Sequence, residues 1–171
     1  MIEIEFNDRP VLDALDELMR RASDPQPALK LIGEKLVDST QQRFVDGRDP
    51  DGNEWDENTA LTLAFYLSEY KGNFKKDGSL STKGQRRLGA KKPLTGRSRT
   101  LQTTINYQIA GDTLHVGSPE PYAAMHQFGG TTSPNSMIPN KPIPARPFLG
   151  LSSDDREDIL DIVRGYLADA L

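Results

Sequence analysis

The N-terminal part of the chain changes from a strand pattern to a helical pattern of apolar residues. In "IEIEF", residues 2–6, every second residue is apolar, which is the period of a half-buried strand. Asn7 or Asp8 can then cap a helix that has Pro10 in its first turn. The residues that repeat at helical spacing are Val11, Leu15, Leu18 and Ala22. These patterns predict a strand followed by a first helix.

Two further helices are predicted before residue 70. After the break "SDPQP", apolar residues follow one face of a helix over residues 28–44. They are Leu29, Ile32, Leu36 and Phe44. A short third helix is predicted in "NTALTLAFYLSEY", beginning after Asn58 or Thr59.

The segment "DGRDPDGNEW", residues 46–55, predicts a loop because Asp-Gly, Asp-Pro and Gly-Asn all favour turns. It resembles a calcium loop superficially. Counted from Asp49, however, the glycine falls at position 4 rather than 6, and no Glu stands at position 12. We therefore interpret the segment as a turn anchored by a buried Trp55.

The middle of the chain has the alternation of a β-hairpin over about residues 99–117. Apolar or aromatic residues alternate with polar ones from Leu101 to Ile109, "AGD" supplies a turn, and Thr113 to Val116 form a return strand.

The C-terminal third predicts a short helix, a Pro-rich loop and a long amphipathic helix. "EPYAAMHQF" forms the short helix, which Gly129 ends, and a short strand is expected near Ile143. Ser152 or Ser153 caps the last helix. Its acidic first turn and apolar stripe comprise Asp154, Asp155, Ile159, Ile162, Val163, Tyr166, Leu167 and Ala170. The predicted fold class is α+β: a small antiparallel sheet packed against N-terminal helices and the C-terminal amphipathic helix.

The composition fits one domain over residues 1–171. No run of 18 apolar residues occurs, so we expect no membrane span, and the first residues are not typical of a signal peptide. Cysteine is absent, which excludes disulfides and thiolate chemistry and fits a cytosolic origin.

The charge of the chain is unevenly distributed. Of 21 Lys and Arg residues, ten lie between Lys71 and Arg99 beside one acid, Asp77, which leaves 11 bases and 24 acids elsewhere. Because residues 71–98 are rich in Gly, Ser and Lys, we expect a flexible basic loop. The residues that could contact DNA phosphates, or a lumen through which DNA passes, are Arg86, Arg87, Lys91, Lys92, Arg97 and Arg99. Docking onto an acidic protein surface is a further possibility.

No catalytic or metal-binding pattern emerges from the sequence. The two histidines, His115 and His126, lie on different predicted elements and lack a zinc-type partner motif. Nucleophile elbows, phosphate-binding loops and dinucleotide fingerprints are also missing. We therefore expect neither an enzyme nor a cofactor or metal site.

Three blocks of the chain together resemble one family. They are "FVDGRDPDGNEW", "PLTGRSRTLQTTINY", and "VGSPEPYAAMHQFGG" followed by "IPARPFLGLSSDD". In order and spacing they look like the phage virion morphogenesis family, which includes tail completion proteins of contractile-tailed phages.

The resemblance implies a structural, non-enzymatic role. Such proteins finish the head-proximal end of the tail, or the neck, so that head and tail join. The implied partners are other tail or neck proteins, together with further copies of the chain in a ring, six-fold by analogy with the tail. Assembly would occur in the host cytoplasm and the product would be part of the virion. The alternative is a DNA-binding protein that uses the basic segment 71–99.

The stretch "PYAAMHQFGG" is interpreted as a packing or subunit-contact element. Tyr122 and Phe128 would anchor it, while His126 and Gln127 would hydrogen-bond backbone groups of the Pro-rich loop. Arg146 would pair with a carboxylate of this subunit or the next, and a buried Phe148 would fix the start of the last helix. The sequence does not separate the packing role from the interface role.

Overall fold

The computed structural model describes residues 9–136 and 138–168. These residues form seven helices and two antiparallel two-stranded sheets, which confirms the α+β fold class. The predicted strand at 2–6 and the capping residues Asn7 and Asp8 lie outside the described residues.

The three helices predicted in the first 70 residues are confirmed. They are α1 (Arg9–Ser23), α2 (Gln26–Asp46) and α3 (Ala60–Ser68). The Oγ1 atom of Thr59 accepts a hydrogen bond of 3.3 Å from the backbone N–H of Thr62, as an N-cap does. The loop before α3 buries Trp55 as expected; only 5% of that residue is exposed.

The basic segment 71–98 is more regular than its composition suggested. Helix α4 (Thr82–Gly89) lies within it, and the Ser81 hydroxyl caps it by accepting a 3.1 Å hydrogen bond from the N–H of Gly84. Asn73 is fully buried, and its Nδ2 donates to the carbonyl of Leu67 at 2.7 Å. An irregular segment was therefore the wrong expectation for residues 82–89, because caps and one buried amide offset the scarcity of apolar residues. The flexibility of the basic segment 71–98 stays a prediction.

The central hairpin is confirmed, but it begins later than the alternation suggested. Strands β1 (Asn106–Ala110) and β2 (Thr113–Gly117) pair antiparallel, with Gln108 opposite His115. Residues 100–103 form the short helix α5 (Thr100–Thr103) instead. Leu101 and Ile105 are both buried at a spacing of four, which suits a helical turn as well as the alternation suits a strand.

The C-terminal elements are confirmed, but of the predicted apolar stripe Val163 is 37% exposed and Ala170 lies outside the described residues. Helix α6 (Ala123–Phe128) ends at Gly129, strand β3 (Gly130–Thr131) pairs with β4 (Pro142–Ile143), and α7 (Ser153–Ala168) closes the described chain. At the start of α7 the Ser152 hydroxyl accepts from the N–H of Asp155 at 3.0 Å. The Asp155 carboxylate in turn accepts from the N–H of Ser152 at 2.8 Å, so the two residues cap the helix reciprocally.

The chain divides into two compact units. The first takes in Met1–Ser39, Asn106–Gly117 and Leu151–Leu171, and the second takes in Thr40–Ile105 and Ser118–Gly150. In the first unit, Lys35 and Asp158 form an ion pair of 2.9 Å. The core of the second unit contains Phe44, Trp55 and Phe148. A single domain stays a prediction.

In the first unit, any residue larger than glycine at position 33 should lower the stability of the fold. A Cβ atom there would lie 2.5 Å from Cδ2 of Tyr107, far inside van der Waals contact. We expect Gly33→Ala to lower the free energy of unfolding by about 1–3 kcal/mol through overpacking. Urea denaturation measures this. Gly165→Ala in α7 is the matched control, since nothing lies within 4 Å of its Cβ position. Equal stability of the two variants would contradict the packing argument.

Candidate functional site

Gln127 joins α6 to the segment that follows the Pro-rich loop. Its Nε2 donates to the carbonyl of Leu149 at 3.0 Å. Its Oε1 accepts from the backbone N–H groups of Phe148 and Leu149, both at 3.0 Å. One side-chain amide thus satisfies three backbone groups, and this role lies within the second unit.

Arg146 holds the loop before α3 in place. Only 6% of the residue is exposed, and its guanidinium donates to the backbone carbonyls of Asp56 at 2.7 Å and Glu57 at 2.8 Å. These acceptors are carbonyls, whereas the sequence suggested a carboxylate partner. Burial lowers the pKa of Arg146, and the nearby charge of Asp56 opposes that shift.

The aromatic residues of this region divide into buried and exposed ones. Phe148 is fully buried, with its ring centroid 5.4 Å from that of Phe44. Phe128, by contrast, is 78% exposed, and Tyr122 is 41% exposed. Phe128 was expected to anchor α6; it does not do so within the described chain, because it is the last residue of the helix and its ring remains open to solvent. A subunit contact through Phe128 stays a prediction.

His126 lies in a partly buried position beside Arg146. Its backbone carbonyl accepts from the N–H of Arg146 at 2.7 Å, and its ring meets that of Tyr122 edge-on at 5.9 Å. Among the described residues, its Nδ1 is buried and has no hydrogen-bond partner. Burial lowers the pKa of His126, and the positive charge of Arg146 lowers it further.

The depressed pKa of His126 predicts a loss of stability in mild acid. The unfolded chain takes up this proton as the pH falls below about 6.5, whereas the folded chain resists it, so protonation favours unfolding. We expect the free energy of unfolding to fall between pH 7.5 and 5.5, and His126→Gln to make that fall shallower. Denaturation at both pH values measures this. The control is His115→Gln at the exposed histidine of β2; an equal effect of both substitutions would contradict the assignment.

The C-terminal half of the basic segment lines an open pocket of about 420 Å³ in the second unit. Its lining includes Tyr66, Tyr70, Lys91, Lys92, Arg97 and Arg99. The two tyrosines come from α3 and its end, four residues apart. They were not predicted as site residues, although a spacing of four would put both rings on one face of the third helix expected from the sequence.

Two of the predicted cations serve the architecture of this unit. Arg87 lies 4.0 Å from the ring centroid of Tyr70 and donates to Oδ1 of Asn73 at 2.8 Å. The Nζ atom of Lys91 donates to the carbonyls of Lys92, at 3.0 Å, and Thr95. Burial lowers the pKa of Lys91, and the charge of Glu69 opposes that shift. The side chains of Arg87 and Lys91 therefore already have binding partners within the unit.

The other four predicted cations are exposed to solvent. They are Arg86, Lys92, Arg97 and Arg99. Arg97 also lies 5.7 Å from the ring centroid of Tyr70, and Arg99 adopts a left-handed backbone conformation with φ 53° at the start of α5. The structure thus gathers Lys92, Arg97 and Arg99 at one pocket, while Arg86 lies outside its lining.

Neither a metal site nor a membrane helix is found in the part of the chain that the structure describes. Within residues 9–136 and 138–168, no group of three or more His, Asp and Glu residues could hold a metal ion. No described helix combines the length and apolar character needed to cross a bilayer.

Comparison with known proteins gives one consistent family. The phage virion morphogenesis family matches residues 6–168. A Mu-like prophage FluMu G protein 2 from Haemophilus influenzae is 29% identical over 167 residues, covering 97% of this chain and 96% of that protein. The putative capsid assembly protein G of Escherichia phage Mu is 30% identical over 160 residues, covering 92% and 88% respectively. No solved structure matches the chain.

Proposed function

Because the chain belongs to the phage virion morphogenesis family and has a structural role in phage assembly, we propose that it completes the head-proximal end of the tail or the neck. Head and tail could then join. The family match over residues 6–168, nearly the whole chain, carries this proposal. The protein acts by contact rather than catalysis, in the host cytoplasm during assembly and afterwards in the virion.

Exposed apolar side chains support a role in protein–protein contact. In the second unit, Phe65 is 58% exposed and Phe128 is 78% exposed. Large aromatic rings are enriched in protein interfaces, where their burial contributes strongly to association. We propose that they meet other tail or neck proteins, or neighbouring copies in a ring with the six-fold symmetry of the tail.

Deletion of the gene from its parent phage or prophage tests the proposal. Electron microscopy of the lysate should show full heads beside unjoined or aberrant tails, and the wild-type gene in trans should restore joined particles. Intact infectious particles from the deletion strain would refute it. Empty or malformed heads beside normal tails would also refute it, since they would place the protein in capsid assembly instead.

The second candidate is a DNA-binding protein that uses segment 71–99. The observation in its favour is that several cations there are exposed, including Lys75, Lys76 and Arg86. It predicts salt-dependent retention on DNA and loss of retention in Arg86→Gln/Lys92→Gln, two positions chosen because Arg87 and Lys91 have partners inside the unit. Absence of binding at low salt would exclude it.

A further inference from the structure

The basic pocket has the chemistry of a peptide-binding site. We infer that the pocket formed by Tyr66, Tyr70, Lys91, Lys92, Arg97 and Arg99 binds an acidic, partly apolar segment of a partner protein. The identification of that partner as a protein of the particle rests on the proposed function. The pocket itself is argued from its charge, its apolar surface and its shape.

The positive charge of the pocket favours an anionic ligand. None of the described residues that line it is Asp or Glu. Lys91 stays with backbone carbonyls, but Lys92, Arg97 and Arg99 are exposed at the same recess. A guanidinium presents paired N–H donors that match a carboxylate, so two arginines here can each hold one.

The apolar surface of the pocket favours a peptide that has an apolar side chain beside its carboxylates. The lining includes Val45, which is 53% exposed although it is aliphatic. The rings of Tyr66 and Tyr70 complete this surface. A volume of about 420 Å³ accommodates one or two residues of a peptide. In a peptide with an apolar residue between acidic residues, the apolar side chain would cover Val45 while the carboxylates pair with the cations.

Nucleic acid fits the same pocket less well. Base stacking needs open aromatic faces. The guanidinium of Arg87, however, lies 4.0 Å from the ring centroid of Tyr70, and Nζ of Lys91 lies 5.2 Å from that of Tyr66. The 24 acids outside segment 71–99 give a field that repels a duplex. A short acidic peptide carries far less charge than a duplex and can enter the recess.

The test measures binding of a defined probe to the intact protein by fluorescence anisotropy. The probe is the fluorescein-labelled pentapeptide Asp-Glu-Phe-Glu-Asp at low ionic strength. We expect Lys92→Gln/Arg97→Gln to weaken binding about tenfold or more, since two charged contacts are removed at the site. The matched control Lys75→Gln/Lys76→Gln removes the same charge from exposed residues outside the lining, and it should change affinity less than about threefold by long-range screening alone. All four positions are exposed, so circular dichroism should show unchanged folding.

Three outcomes would overturn the inference. One is absence of peptide binding, and another is equal weakening by both double variants, which would indicate a diffuse field rather than a site. The third is a duplex oligonucleotide that displaces the peptide and loses affinity only in Lys92→Gln/Arg97→Gln, which would identify a nucleic-acid site. These results leave the proposed function intact, because that is decided separately by the deletion phenotype.

Discussion

Phe148→Ala should lower the free energy of unfolding by about 3–5 kcal/mol, the range for truncating a fully buried phenylalanine. Its ring has no exposed surface and packs at 5.4 Å from the ring of Phe44, which also meets Trp55 at 5.4 Å. Removal of the ring leaves a cavity beside the ring of Phe44. The backbone around it is fixed by Gln127 and by Arg43, whose guanidinium donates to the carbonyl of Phe148 at 2.8 Å, so the site cannot collapse easily.

Urea denaturation of Phe148→Ala and Phe128→Ala measures the effect with a control of identical chemistry. Phe128 belongs to the same unit but is 78% exposed, so its truncation should change stability by no more than about 0.5 kcal/mol. If Phe128 contacts another subunit, Phe128→Ala should instead reduce particle yield without loss of stability. Similar losses of stability for both variants would contradict the assignment of Phe148 as the buried member of the pair.

The helices could be predicted from the sequence because one-dimensional periodicity determines which face of a helix is apolar. In α2, three of the four predicted face members are buried, namely Ile32, Leu36 and Phe44, and Leu29 is partly buried. Periodicity failed at Leu101 and Ile105, since a spacing of four satisfies both a helix and a strand. The left-handed conformation of Arg99, with φ 53°, gives no sequence signal. Helix α4 in segment 71–98 is linked to the buried amide of Asn73, which accepts a hydrogen bond from Arg87, and composition cannot reveal this contact.

The site was predictable only as a set of residue types, because its geometry depends on contacts between distant parts of the chain. The stretch around Gln127 attracted attention through its polar and aromatic residues, but its three backbone partners lie more than twenty residues away. The sequence likewise placed Arg97 and Arg99 in a basic segment without showing that they share a pocket with Tyr66 and Tyr70. Hydrophobic rings such as Phe128 and Phe148 look alike in sequence, and only the fold separates the exposed ring from the buried one.

Arg146→Met should destabilise the protein by about 2–4 kcal/mol, because two hydrogen bonds from a charged, buried group are lost together. The bonds run to the carbonyls of Asp56 and Glu57, at 2.7 and 2.8 Å. Methionine fills similar volume but donates nothing, so both carbonyls must find water. Arg146→Lys should fall between wild type and Arg146→Met, since an ammonium can reach one carbonyl but cannot span both in the planar geometry of a guanidinium.

The control for this series is Arg86→Met, at an exposed arginine of α4 in the same unit, which should change stability by about 0.5 kcal/mol or less. Denaturation gives the stabilities, and complementation of the deletion strain gives the assembly phenotype. If only the Arg146 variants lose stability, and these variants also give fewer particles, assembly requires that Arg146 hold the loop at residues 56–57 in place. Equal stability of Arg146→Met and Arg86→Met would mean that water replaces the guanidinium without cost, and the two hydrogen bonds would then contribute nothing to the fold.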